Sequence, residues 1–192
     1  VATAVELLDA QGLDGLTMRG LAERLGSGVM SLYWHVDNKE DVFDLALDSV
    51  LEYRGPPQMA ESQDWRADIV HMLEDWRASM LRHSWSASLL PRRALGSNIL
   101  SRLELLSKTL SKAGVADTDL NVAIWSLWNY VMGATITRAS FDLSDDDMAA
   151  AQQRLTGERY TTIERSRLLL DNDWDGAFRK GLDFLLDGLA PR

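Results

Sequence analysis

The chain has 192 residues, no cysteine, three histidines and a formal net charge of −9, from 29 acidic against 20 basic side chains. That length suits one compact unit or a small domain joined to a larger one, and the absence of cysteine excludes disulfides and thiolate metal sites and fits a reducing cytoplasm. No apolar run nears the roughly 20 residues that span a bilayer, and no charged-then-apolar leader opens the chain.

A soluble, cytoplasmic protein with no metal and no cofactor is therefore expected. The sequence starts at Val1, inside a helical pattern and without an initiator methionine, so further residues are expected to precede it. The acidic excess argues against a polyanionic partner, because nucleic-acid affinity rests on Lys and Arg neutralising phosphates. Residues 17–39 are relieved of that acidity: Arg19, Arg24 and Lys39 face only Glu23 and Asp37.

The expected fold class is all-α. Val5, Leu8 and Gln11, beside Ala4 and Leu7, form a short helical stripe that ends at Gly12. In "DGLTMRGLAERLG", Thr17 is the N-cap, Leu21, Ala22 and Leu25 recur at helical spacing, and Gly26 is the stop. "GVMSLYWHV" reads as a third short helix, with Leu32 and Val36 on its inner face. A fourth begins at Asn38 as N-cap, with Asp41 placed to complete a capping box and two apolar stripes at 42, 45, 46, 50 and 43, 47, 51.

"RGPPQ", Arg54 to Gln58, cannot continue a helix, since consecutive prolines remove donors and clash with the preceding turn. It divides a domain of residues 1–53 from one of residues 54–192. The larger part again has helical periodicity, roughly at 64–83, 97–113, 117–140, 146–170 and 174–189, with no strand alternation. The acidic run "DLSDDDMAAAQQ" reads as a solvated loop leading into a helix start.

Two short helices joined by a glycine-containing turn match the helix-turn-helix pattern, in which the second helix enters the DNA major groove. Leu32 and Val36 satisfy the interior, leaving Val29, Met30, Ser31, Tyr33 and Trp34 to point elsewhere. Val29 and Met30 can meet a thymine methyl, and Ser31 can bond a base edge or a phosphate. The Tyr33 hydroxyl, the His35 ring and the Lys39 ammonium can reach backbone oxygens.

"GLTMRGLAERLG", "SLYWHV" and "NKEDVFDLAL" together resemble the DNA-binding domain of the TetR family of bacterial repressors, in particular its tetracycline-repressor branch. The resemblance implies an N-terminal three-helix DNA-binding domain and a larger helical ligand-binding and dimerisation domain. It places Thr17 and Arg19 near DNA at the start of the second helix, Val29, Met30, Ser31 and Tyr33 on the reading face, and His35 and Lys39 on the phosphate backbone. Trp34 is expected to buttress the helix against its neighbours. Ser27 and Met30 depart from the family's usual residues, so an operator sequence is not carried over. The family's basic arm, ahead of the first helix, has no counterpart in the sequence given.

Six tryptophans follow residue 58, and aromatic and methionine side chains build cores and line apolar cavities alike. Met72, Trp76 and Met80 share one helical stripe, and Trp125, Trp128 or Asn129, and Met132 share another. With Trp85 they are the expected lining of a site for a small apolar or aromatic effector, Asn129 orienting it; an ordinary core without a cavity is the competing reading. Tetracycline's magnesium chelate is not expected, since the joining stretch lacks the histidine that the resemblance would require, and His71 and His83 lie 12 residues apart.

Phe178, Leu182, Leu185, Leu186 and Leu189 align on the last helix and, by the resemblance, form a homodimer face. A two-fold dimer would carry two reading helices to half-sites about 34–36 Å apart on a double-stranded operator. The expected function is a homodimeric transcriptional repressor released from a palindromic operator by its effector. A protein-binding adaptor on the same fold is the alternative class. An enzyme is not expected, because no nucleophile elbow, phosphate loop or metal motif surrounds the Ser, His and Asp residues.

Overall fold

The computed structural model describes residues 1–53, 55, 62–92, 95–141, 144–155, 158–167 and 173–189. Among them there is no strand, as expected of an all-α chain. The proposed junction at 54–58 lies, apart from Gly55, outside the described residues.

Helix α1 (Ala2–Gly15) buries Ala4, Leu7 and Leu8 and is interrupted at Gly12, whose φ of 69° and ψ of −172° are not helical. Helix α2 (Met18–Arg24) starts where the Thr17 hydroxyl accepts the Gly20 N–H at 3.0 Å, satisfying one of the first-turn donors that helix geometry leaves free. It stops at Gly26, whose φ of 65° is a left-handed conformation that favours glycine. Helix α3 (Val29–Leu32) follows directly.

Helix α4 (Lys39–Val50) carries the expected capping box: Asn38 Oδ1 accepts the Asp41 N–H at 3.2 Å, and the Asp41 carboxylate accepts the Asn38 N–H at 3.2 Å. Its two stripes have two partners. One packs on α1, and the other reaches the body formed by the remaining helices, so Leu16, Phe43, Ala46, Leu47 and Leu51 are continuous with one hydrophobic core running through the chain.

In that body, helix α5 (Trp65–Arg82) is central; it packs against α6 (Ser84–Leu89), α7 (Ser97–Lys112), α8 (Asp117–Ser140) and α11 (Trp174–Leu189). The expected helix over 146–170 is instead α9 (Asp145–Leu155), a 3₁₀ turn at Glu158–Tyr160, and α10 (Thr161–Ser166), which ends at Arg167 with φ 55°. Residues 156–157 and 168–170 of that expected helix lie outside the described residues. The acidic run opens α9 as expected: Ser144 Oγ accepts the Asp147 N–H at 3.1 Å.

Ion pairs fasten α11 along α5. Arg77 meets Asp175 at 2.7 Å, Arg66 meets Asp187 at 2.5 Å, and Arg179 pairs with Glu74. The Tyr130 ring stacks on Phe178 with centroids 5.3 Å apart, and its hydroxyl donates to the Phe178 carbonyl at 2.9 Å.

Candidate nucleic-acid interface and effector groove

The residues expected to read DNA lie on three consecutive elements: the start of α2, α3 with its following turn, and the start of α4. Thr17 is exposed but already caps α2, and Arg19 is exposed while pairing with Glu23 at 2.9 Å within the same helix. On α3, Val29 is half-buried and Ser31 exposed, whereas Met30 is 75% exposed. Tyr33 is 45% exposed, and His35 is exposed too.

Two side chains depart from the sequence reading. Trp34, expected to buttress α3, is 86% exposed, too open to solvent to hold the helix against its neighbours. The reason lies in the length of α3: after only four helical residues the chain turns with Leu32 and Val36 inward, and the intervening positions project outward. Lys39 is half-buried, its ammonium donating to the Leu13 carbonyl at 3.2 Å rather than standing free in solvent.

In the body, an apolar groove of about 360 Å³ has one wall from Leu90, Pro91 and Leu95, a second from Leu103 of α7, and a third from Ile124, Trp125 and Trp128 of α8. Its size falls in the range of small-molecule pockets, and its lining suits an apolar, flat occupant. Trp125 stands at its mouth, 53% exposed, and meets Trp128 edge-on at a centroid distance of 5.6 Å.

Of the expected effector residues, the structure brings only Trp125 and Trp128 to this groove. Met72, Trp76, Met80, Trp85 and Met132 are buried in the shared core. Since α5 is covered by α7 and α8 together, its apolar stripe is consumed by packing. Trp76 does touch the groove indirectly, meeting Trp128 edge-on at 5.0 Å. Asn129, one residue past Trp128, is rotated about 100° around α8 and is exposed outside the groove. The groove residues missed from sequence, Leu90, Pro91, Leu95, Leu103 and Ile124, carry one signal: the "LLP" break before α7 supplies a wall that no helical stripe provides.

Residues 1–46 match the family model for "Bacterial regulatory proteins, tetR family", and residues 57–192 match "Tetracyclin repressor-like, C-terminal domain". The chain belongs to the TetR family of bacterial regulators. It is 36% identical, over 99% of its length and 82% of the relative's, to an HTH-type transcriptional regulator of Saccharopolyspora erythraea. The fold is similar to that of Streptomyces coelicolor ActR in complex with actinorhodin, at 27% identity and a TM-score of 0.76, covering 98% of this chain and 93% of that one. It is also similar to BioQ with its double-stranded DNA operator, at 27% identity and a TM-score of 0.69, covering 98% and 94%.

Within the TetR-family framework, the apolar face of α11 is spoken for inside the chain. Phe178, Leu182 and Leu186 are buried, at 3%, 0% and 0% exposure, while Leu185 and Leu189 are half-buried against the same core. The stripe expected to pair with a second chain therefore packs on α8 and α5 of its own chain. Besides Trp125 at the groove mouth, the large apolar groups left exposed on α8 and α11 among the described residues are Phe184, Val122 and Ile136, at 67%, 65% and 44% exposure. His71 is exposed, and His83 is tied to Asp9 at 2.8 Å; among the described residues no cluster of His, Asp and Glu could hold a metal ion, and no helix is long and apolar enough to cross a membrane.

Proposed function

We propose that this TetR-family chain is a homodimeric transcriptional repressor, acting in the cytoplasm, that reads a palindromic operator with α3 and is released by an apolar or planar aromatic effector. The observation that carries the reading is the exposure of Met30 on α3 and of Tyr33 and Trp34 in the turn that follows it: three large side chains that the fold leaves largely open to solvent. Such groups are expensive to leave in water unless they meet something, and a thymine-rich major groove offers methyl groups and base edges.

The groove walled by Trp125 and Trp128 supports the effector half of the proposal, and the similar fold of ActR has been solved in complex with actinorhodin. Val122 and Ile136 on α8 and Phe184 on α11, exposed on two helices that pack together, are apolar groups available for a two-fold contact between copies. Nothing in this arrangement calls for turnover of the effector.

The test is capture of fragmented genomic DNA from the source organism by the purified protein at about 0.15 M salt, where phosphate-only binding is screened, followed by sequencing. A small set of fragments sharing an inverted repeat supports the reading; uniform recovery of all fragments contradicts it.

A further inference from the structure

Helix α7 opens on Gly96 and has no side-chain cap of its own. Its first-turn donors are satisfied from another helix: Asp48, in the last turn of α4, accepts the Asn98 N–H at 3.0 Å and the Ile99 N–H at 3.2 Å. Ser97 Oγ adds a longer contact to the same carboxylate at 3.3 Å, and the Asn98 amide donates back to the Asp48 carbonyl at 3.1 Å. The approach is close enough that a Cβ on Gly96 would lie 2.3 Å from the Asp48 carboxylate.

One turn further along α7, Arg102 returns the favour. It is 2% exposed, and its Nε and Nη2 donate to the carbonyl of Leu51, the C-cap residue of α4, at 3.2 and 3.1 Å. Its remaining contacts lock it to α5, through the Met72 carbonyl at 3.0 Å and Asp75 at 2.8 Å. The two helices thus cap each other, a carboxylate of α4 on the N-terminus of α7 and a guanidinium of α7 on the C-terminus of α4. Both charges have the sign that the helix dipoles favour.

The placement of this double cap gives it a role. Leu95, one residue before Gly96, and Leu103, one residue after Arg102, both line the apolar groove. We propose that the Asp48–Arg102 double cap is the joint through which occupancy of the groove reaches the DNA-reading helices; this rests on the groove being the effector site. An occupant that pushes Leu95 and Leu103 outward moves the first turn of α7, and that turn cannot shift without carrying Asp48 and Leu51. The far end of α4 holds the Asn38 cap and the Lys39 contact to Leu13, beside α3, so a tilt of α4 alters where α3 sits. Asp48 is in this account a positioning residue. An effector shifts the equilibrium only as far as its affinity differs between the two placements.

A substitution cycle on operator affinity tests the joint without an identified effector, using the full chain and the inverted-repeat duplex recovered by selection. Leu103→Trp fills the groove from within. In the otherwise natural chain it is expected to weaken operator binding by about tenfold, within the usual range of allosteric coupling. In the Asp48→Ala background the same substitution is expected to lose most of that effect, because the push then reaches α4 only through the Arg102 bonds to the Leu51 carbonyl. Gly96→Ala should blunt the effect likewise, by driving the carboxylate off the helix terminus, whereas Asp48→Asn, which keeps an oxygen acceptor, should retain most of it. Helical melting curves confirm that each variant folds, and Leu95→Trp replaces Leu103→Trp if the latter does not. Equal weakening in the natural and Asp48→Ala backgrounds overturns the joint while leaving the groove connected to DNA binding. No weakening by either groove-filling variant in any background overturns the groove reading, and the joint with it.

Discussion

Lys39 and Leu13 join the first and fourth helices: the Lys39 ammonium donates to the Leu13 carbonyl at 3.2 Å and lies 5.0 Å from the centroid of the Phe43 ring. A residue expected to serve DNA phosphate is thereby committed to holding the reading head together. Lys39→Met should lower the unfolding free energy by about 1 kcal/mol, the net worth of such a hydrogen bond, in urea titration. It should change the slope of log affinity against log salt by less than about half the 0.9 expected per phosphate contact. A full unit of slope lost with unchanged stability would return Lys39 to the DNA backbone.

Trp34 supports the opposite assignment. At 86% exposure it contributes little to the fold, so Trp34→Ala should leave stability within about 0.5 kcal/mol, as for other surface changes. Operator affinity should fall by about tenfold, equivalent to about 1.4 kcal/mol. An unfolded or strongly destabilised Trp34→Ala protein would restore the buttressing role.

The contrast between these residues shows what was legible in the sequence. Caps at Thr17 and Asn38, the stop at Gly26 and the periodicity of α4, α5, α7, α8 and α11 are local, so their residue types alone announced them. Whether an apolar stripe faces a core, a cavity or a second chain is decided by which helices lie against it, and periodicity is silent on that. Trp76 and Leu182 have the same signature as groove or dimer residues, and the structure spends both on the core. The groove escaped notice because part of its wall, Leu90 and Pro91, comes from a 3₁₀ turn with no periodic signal. The double cap between α4 and α7 joins positions about 50 residues apart, which single-helix capping rules do not search.

Two neighbouring tryptophans should part company when truncated. Trp125→Ala, at the groove mouth, should leave the melting curve nearly unchanged while weakening binding of a planar aromatic probe such as anilinonaphthalene sulfonate by about tenfold or more, a scale that loss of an aromatic contact can supply. Trp76→Ala should destabilise the protein by about 3–5 kcal/mol, as for other fully buried aromatic groups. Comparable destabilisation by both would mean that the groove is ordinary core.

Acid should loosen the seam between α5 and α11. The hydrogen bond and charge of Arg77 hold the Asp175 carboxyl below the usual carboxylate range. A group whose folded value is depressed adds stability above its unfolded value, near 3.9, and loses it as pH falls through the folded one. Asp175 is largely exposed, so solvent screens the pair and the contribution is small. Asp175→Asn should therefore melt slightly below the natural protein at pH 7, with the difference shrinking below about pH 4. A difference that widens in acid would contradict the pairing.

In the proposed mode of binding, two copies of α3 enter successive major grooves of one duplex. The direct measurement is binding of the natural protein, by fluorescence anisotropy with determination of stoichiometry, to the selected inverted repeat and to the same repeat with five base pairs inserted between its halves, at about 0.15 M salt. Two chains per duplex are expected, at a dissociation constant of about 10 nM or tighter, within the range for specific DNA readers. The inserted half-turn should weaken binding by about a hundredfold or more, since the half-sites then face opposite sides of the helix. Equal affinity for both duplexes, or for unrelated sequence, would contradict it.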